Sequence, residues 1–204
     1  MILESLIIGI SIAAIPGPIF FELVRRTLAK GFWSGALLSL GEFLGNFLLL
    51  LLIFFGVSNF LMYTVSKIVL YFIGSLILIW LGIAAFKMNK QEIESSYKKE
   101  IKKNNSVLVG FIIAITSPIV IALWISLSGS YLAQFNSHLL VFANIFLIAF
   151  GFVIFFFTLA AIIHKTRHRI PAKYVILLSK IFGIILFIYG ASFLYDAVKL
   201  LLYS

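Results

Sequence analysis

Six stretches of this chain are apolar over the length needed to cross a bilayer, and that fixes the solvent it folds in. They run roughly over Ile2–Val24, Ala36–Met62, Ile68–Phe86, Val107–Leu127, Leu139–Ile163 and Tyr174–Tyr195. About 20 residues are needed for one helical span. Hydrophobicity on every face of each run fits lipid and bundle contact better than an amphipathic surface helix. The whole chain is 63% hydrophobic and 11% charged, where a soluble domain is about 45–50% apolar. The expectation is an all-α membrane protein, one transmembrane domain over residues 1–204. Met1-Ile2-Leu3-Glu4 has no positive n-region, so the first run is read as a retained helix and not a signal peptide.

Inside the first run stands Ile15-Pro16-Gly17-Pro18-Ile19. Two prolines remove two backbone donors and clash with the turn before them. Gly17 adds freedom between them. In lipid, backbone without partners is tolerated only where it is buried in protein or lines a cavity. The stretch therefore reads as a discontinuous helix at a binding site.

The net charge of +9 could suggest a nucleic-acid partner, but the basic residues sit between apolar runs. Arg25, Arg26 and Lys30 follow the first run. Lys87, Lys90, Lys98, Lys99, Lys102 and Lys103 follow the third. Lys165, Arg167, Arg169 and Lys173 follow the fifth. The opposite face has Lys67 and Lys199. This bias places the basic face in the cytoplasm and both termini outside, with no nucleic acid involved. The polar stretch 89–105 reads as a solvated cytoplasmic linker.

A shift of 100 residues lays Ala14-Ile15-Pro16-Gly17-Pro18-Ile19 on Ala114-Ile115-Thr116-Ser117-Pro118-Ile119. The third and sixth runs also correspond, with Gly74 and Gly82 in one and Gly183 and Gly190 in the other. Two units of three helices follow, at about 1–88 and 106–204. Three is odd, so the second unit enters from the other side. That is an inverted repeat with broken first and fourth helices, and it points to a site where the breaks meet.

Few groups in these runs can do chemistry. Glu42 is an acid at membrane depth, a functional candidate because its burial is costly. Asn46 follows one turn later on the same face. Ser117 and Pro118 mark the second break, and Asn144 lies near the start of the fifth run. The candidate substrate-binding set is Pro16, Gly17, Pro18, Glu42, Asn46, Ser117, Pro118 and Asn144. Half-helix N-termini suit a carboxylate. Glu42 suits an ammonium group or a coupling proton. Asn46 and Asn144 have a plainer reading as links between helices. Glu22 reads as a local interfacial pair with Arg25 and Arg26. Trp80, Trp124, Tyr131 and Tyr189 read as interfacial belts or packing. Gly35, Gly41 and Gly45 read as points of close helix approach.

No Walker loop, dinucleotide fingerprint or metalloprotease pair occurs. With no cysteine, thiol redox chemistry and thiolate metal sites are excluded. No cofactor and no metal is expected, and no paired nucleophile and base marks an enzyme.

Pro16-Gly17-Pro18 with Arg26, Gly31, Gly35, Gly41 and Gly45 resembles the N-terminal signature of the lysine exporter and homoserine/threonine exporter (LysE/RhtB) family. Gly74 to Gly82 is similar to that family's third helix, and Gly110, Ser117-Pro118 and Trp124 to its fourth. Ser117 stands where the family usually has Asn. Asn46 stands where many members carry an acid. The resemblance implies a secondary exporter of amino acids or related small metabolites, without ATP, in a prokaryotic cytoplasmic membrane. A homodimer is a further candidate assembly. The alternative is a metal or inorganic-ion exporter of related six-helix architecture. Cation routes usually need several intramembrane acids, histidines or thiols, whereas the runs here offer one clear acid.

Overall fold

The computed structural model describes residues 2–57, 63–87, 90–91, 93–94, 105–132 and 137–203. These residues are almost entirely helical. Eight α-helices follow in order: α1 (Ile2–Ala13), α2 (Pro18–Lys30), α3 (Phe32–Leu52), α4 (Thr64–Phe86), α5 (Ser106–Thr116), α6 (Pro118–Ser130), α7 (His138–Arg167) and α8 (Ala172–Tyr203). Four helices are long and apolar enough to cross a membrane, or up to six spans if each bent pair is one. Most of the 89–105 stretch lies outside the described residues. Its one buried apolar side chain among them, Ile93, packs with Leu28, Ala29, Ala172 and Val175, so that point is docked on the protein rather than solvated.

The first apolar run is not one straight span. α1 ends at Ala13 and α2 leaves at 75° to it. At 1.5 Å per residue, the 12 residues of α1 reach about 18 Å, short of a hydrocarbon core of about 30 Å. The prolines explain the break, since Pro18 can only start a helix. The fourth run breaks in the same manner, between α5 and α6, with a bend of 65°.

Arg25, Arg26 and Lys30 lie within α2, not in a loop. One residue, Gly31, joins α2 to α3 at φ 101 and ψ 178, a region open essentially to glycine. Similarly α7 runs on through Lys165 and Arg167. α3 passes into a wider helical segment, Ile53–Val57, where Gly56 at φ 87 turns the chain away.

Three helix pairs come together through facing glycines. A Cβ on Gly9 of α1 would stand 2.1 Å from the Ile148 carbonyl oxygen of α7, and one on Gly151 2.7 Å from that of Leu6. In α3 and α5, a Cβ on Gly41 would meet the Val107 oxygen at 1.9 Å, and one on Gly110 the Leu38 oxygen at 2.1 Å. In α4 and α8, Gly82 and Gly183 face each other's carbonyls in the same way. Lipid tails are as apolar as leucine, so contact of this kind, rather than the hydrophobic effect, holds such helices together.

Glu22 of α2 is fully buried with two arginines. Arg25 holds both of its carboxylate oxygens, at 2.6 and 2.8 Å, and Arg26 also donates to it. Arg26 reaches on to Ser106 Oγ of α5 at 2.9 Å. The spacing gave the pairing, but the pair is interior rather than interfacial.

Three outcomes follow. Gly110→Val forces a side chain into the Leu38 carbonyl and should destabilise by about 3 kcal/mol or more, read as a lower detergent melting midpoint or loss of the monodisperse peak. Glu22→Ala leaves two buried guanidinium groups without their carboxylate, at a cost of about 3–5 kcal/mol. Glu22→Ala should therefore fail to yield folded protein. Lys90→Ala, which removes an exposed 3.5 Å pair with Glu94, should not differ from the parent.

Candidate functional site

Both helix breaks open onto one cavity of about 260 Å³. Pro16, Gly17 and Pro18 line it from the first break, and Ser117 from the second. Glu42 and Asn46 of α3 line it between them. The volume is a little under the roughly 300–1,000 Å³ usual for drug-sized ligands, so the hollow suits a small solute.

The two breaks present the same chemistry. Each half-helix begins with proline in its first turn, and neither cap residue makes a side-chain cap bond. The carbonyl of Gly17 accepts from Phe21 N at 3.2 Å, and that of Ser117 from Ile121 N at 3.0 Å. The amides between have no intrahelical acceptor, as at any helix start. Together with the positive end of the helix dipole, they favour an anionic group. Gly17 is extended, at φ −139, and a Cβ built on it would meet nothing within 4 Å. Open space, not packing, lies in front of this residue.

Glu42 and Asn46 are 3% and 1% exposed. Among the described residues, none meets hydrogen-bond geometry to Glu42 Oε2 or Asn46 Nδ2, although the two side chains interact with each other across one helical turn. Asn46 is held by its other end, since Trp124 Nε1 donates to Oδ1 at 3.1 Å. A buried acceptor and a buried donor thus stand side by side in two residues that line the cavity, both atoms covered from the hollow itself. Unmatched buried polar atoms cost on the order of 1–3 kcal/mol each, more when charged. Their natural complement is a solute that carries both a donor and an acceptor.

Asn144 is not among the residues lining this cavity. Its Oδ1 accepts from Ser5 Oγ and its Nδ2 donates to the Leu140 carbonyl at 2.7 Å. Ser5 also meets the Tyr131 hydroxyl at 3.0 Å. Asn144 therefore joins α7 to α1 with both ends satisfied, in keeping with its plainer reading. Pro118 takes the first turn of α6, as the broken-helix pattern requires. Gly35, Gly41 and Gly45 do face close neighbours: the Thr27 side chain, Val107 and Ala114.

Two aromatic residues read as belts or packing belong to the cavity instead. Trp124 is fully buried beside Asn46, and Tyr189 lines the same cavity. Phe152 and Phe156 of α7 extend that wall. Nothing in hydropathy distinguishes a wall residue from a lipid-facing one. The spacing of Trp124, seven residues after Ser117, would have placed it two turns beyond the break on the same face. Trp80 is exposed, as a lipid-facing ring would be. Among the described residues, no group of three or more His, Cys, Asp or Glu comes together.

Two breaks sharing one hollow, in a chain of apolar helices, is the arrangement of a solute carrier, and sequence comparison agrees. Residues 10–197 match the family LysE type translocator. The chain belongs to that family. It is also 27% identical over 206 aligned positions, 98% of each chain, to a protein of Bacillus subtilis (strain 168) named "Putative amino acid efflux protein YcgF". No solved structure matches the chain. Family members are membrane translocators of small solutes, so this one is a multi-pass membrane protein and a transporter.

Gly17→Ala separates the site from the fold. Its extended backbone suits any residue and its Cβ meets no atom. The variant should match the parent in melting midpoint and elution, while solute flux falls several-fold. Equal flux would show that the space before Gly17 is not used.

Proposed function

We propose that this chain is a secondary exporter of amino acids or related small metabolites in the cytoplasmic membrane of a prokaryote. It works by alternating access around the two helix breaks. The observation that carries the reading is the pair of half-helix N-termini meeting in one hollow beside unmatched Glu42 and Asn46. Ammonium and carboxylate of an amino acid complement those two kinds of group. The family and the name of the Bacillus relative support the same conclusion.

The architecture we infer is six spans in one domain, built as two inverted units over about 1–88 and 106–204. The packing supports it. Exchanging the units turns α1 against α7 into α5 against α3, and both pairs are present; α4 against α8 maps onto itself. The facing glycines follow the same exchange. The basic face then lies in the cytoplasm and both termini outside.

Pro16, Gly17, Pro18 and Pro118 shape the site, and Glu42, Asn46 and Ser117 contact the solute. Asn144 serves at one remove, by holding α7 to α1. Glu42 is also the coupling group: it releases its proton on one face to receive the ammonium group and takes one back on the other.

Proteoliposomes loaded with a panel of amino acids test this. Efflux of at least one amino acid, faster with an inward proton gradient, is expected. Glu42→Gln should lower the rate by about tenfold or more and remove its response to pH. A variant that folds and keeps both rate and pH response would end the coupling role. No flux for any amino acid, with movement of a divalent cation instead, would replace the reading with inorganic-ion export.

A further inference from the structure

Away from the polar patch, the cavity is lined by hydrocarbon. Ile12, Ile113, Leu123, Trp124, Phe152 and Phe156 all belong to the lining. The rings make a continuous wall, with Trp124 and Phe152 centroids 5.5 Å apart and Phe152 and Phe156 6.5 Å apart. Among the described residues, Glu42 is the one carboxylate in the lining, and no Lys, Arg or His joins it. The indole donor of Trp124 is already committed to Asn46.

The geometry points to a solute class: amino acids with an uncharged, apolar side chain of about the size of leucine, isoleucine or methionine. This rests on the exporter reading above and narrows it. Glu42 and Asn46 are the polar side chains of α3 in the lining, and they place the two charged ends. On this assignment the Glu42 carboxylate turns outward to accept from the ammonium group, and the Asn46 amide, with the first-turn amides, donates to the carboxylate. With those ends placed, the side chain is left against the aliphatic and aromatic wall. At about 260 Å³ the hollow lies just under the roughly 300–1,000 Å³ usual for drug-sized ligands, a scale that suits a single amino acid.

The same wall rejects the other classes. Lysine would bring a second ammonium group with no second carboxylate to meet it. Glutamate would turn a carboxylate toward Phe152 and Trp124. A charge left without a partner at membrane depth is strongly disfavoured. Serine would leave its hydroxyl without a partner and much of the hollow unfilled.

Two measurements on the purified full chain test the assignment. The first is the melting midpoint in detergent with L-leucine, L-methionine, L-lysine, L-glutamate or L-serine, since a bound solute stabilises the folded state. The second is efflux of the same five from proteoliposomes. Leucine and methionine should raise the midpoint and move about tenfold or more faster than the other three. If lysine, glutamate or serine moves as fast as leucine, the apolar assignment is overturned while the exporter reading stands. If none of the five binds or moves, the apolar assignment is overturned, and the exporter reading is overturned with it only when the full amino-acid panel also shows no flux.

Leu123→Asp supplies the missing second carboxylate. The leucine-to-lysine rate ratio should shift toward lysine by about tenfold. An unchanged ratio in a folded variant counts against the assignment. Should that variant not fold, Phe152→Ala replaces it. Removing the ring should move the preference from leucine toward phenylalanine and tryptophan. An unchanged ranking would overturn the wall's role.

Discussion

A peptide group without a hydrogen-bond partner inside hydrocarbon costs several kcal/mol, on the order of a whole binding interaction. This chain interrupts its helices twice within apolar runs, at Pro16-Gly17-Pro18 and at Ser117-Pro118. Such breaks persist only where the freed groups face something other than lipid. The remainder of the bundle meets that condition by turning both breaks toward one hollow and closing helices around it. The glycine contacts bring α3 against α5, Glu42 beside Gly110 and Gly45 beside Ala114, and Glu42 and Asn46 line the hollow that the second break also lines. The site is in this sense a consequence of where the backbone can afford to be open.

The polar atoms at the wall follow the same logic one level up. Asn46 is oriented by Trp124, which fixes its carbonyl end and leaves its amide end beside Glu42. Glu42 has no cationic neighbour in the lining. Glu22, by contrast, is saturated by Arg25 and Arg26 on its own helix. Two buried carboxylates in one chain thus have opposite environments: one is internally matched and ties α2 toward Ser106, the other is left available.

Much of this was legible in the sequence because lipid narrows the choices. Apolar length gave the helices, and proline inside an apolar run gave both breaks. Glu42, Asn46 and Ser117 stood out as polar groups where polar groups are costly. What hydropathy could not supply was direction. It marked the broken first span through its prolines, but an average over a window carries no angle, and the 75° turn between α1 and α2 is visible only in the coordinates. It put Arg25 and Arg26 in a loop because charge usually marks one, although a carboxylate three and four residues earlier lets a buried helix carry both. Asn144 is as polar as Asn46, yet Ser5 and the Leu140 carbonyl consume its capacity. Only coordinates distinguish the two. Trp124 and Tyr189 do pack into the core, as one of their two readings had it, but composition could not show that they also line the cavity.

The facing glycines bear on how such a bundle could move. Each of the three pairs joins an element before residue 88 to one after residue 106. The two units are therefore interleaved, with main chain close to main chain across these three seams, unlike two lobes that meet at one face. Sliding along a seam would drive a carbonyl into the next residue's Cβ. Among the described glycines, none makes a main-chain contact of this kind to α2 or α6, the short segments beyond the breaks. Exposure of the hollow to one side and then the other would fall to those two segments, pivoting like paired shutters in a frame that stays fixed.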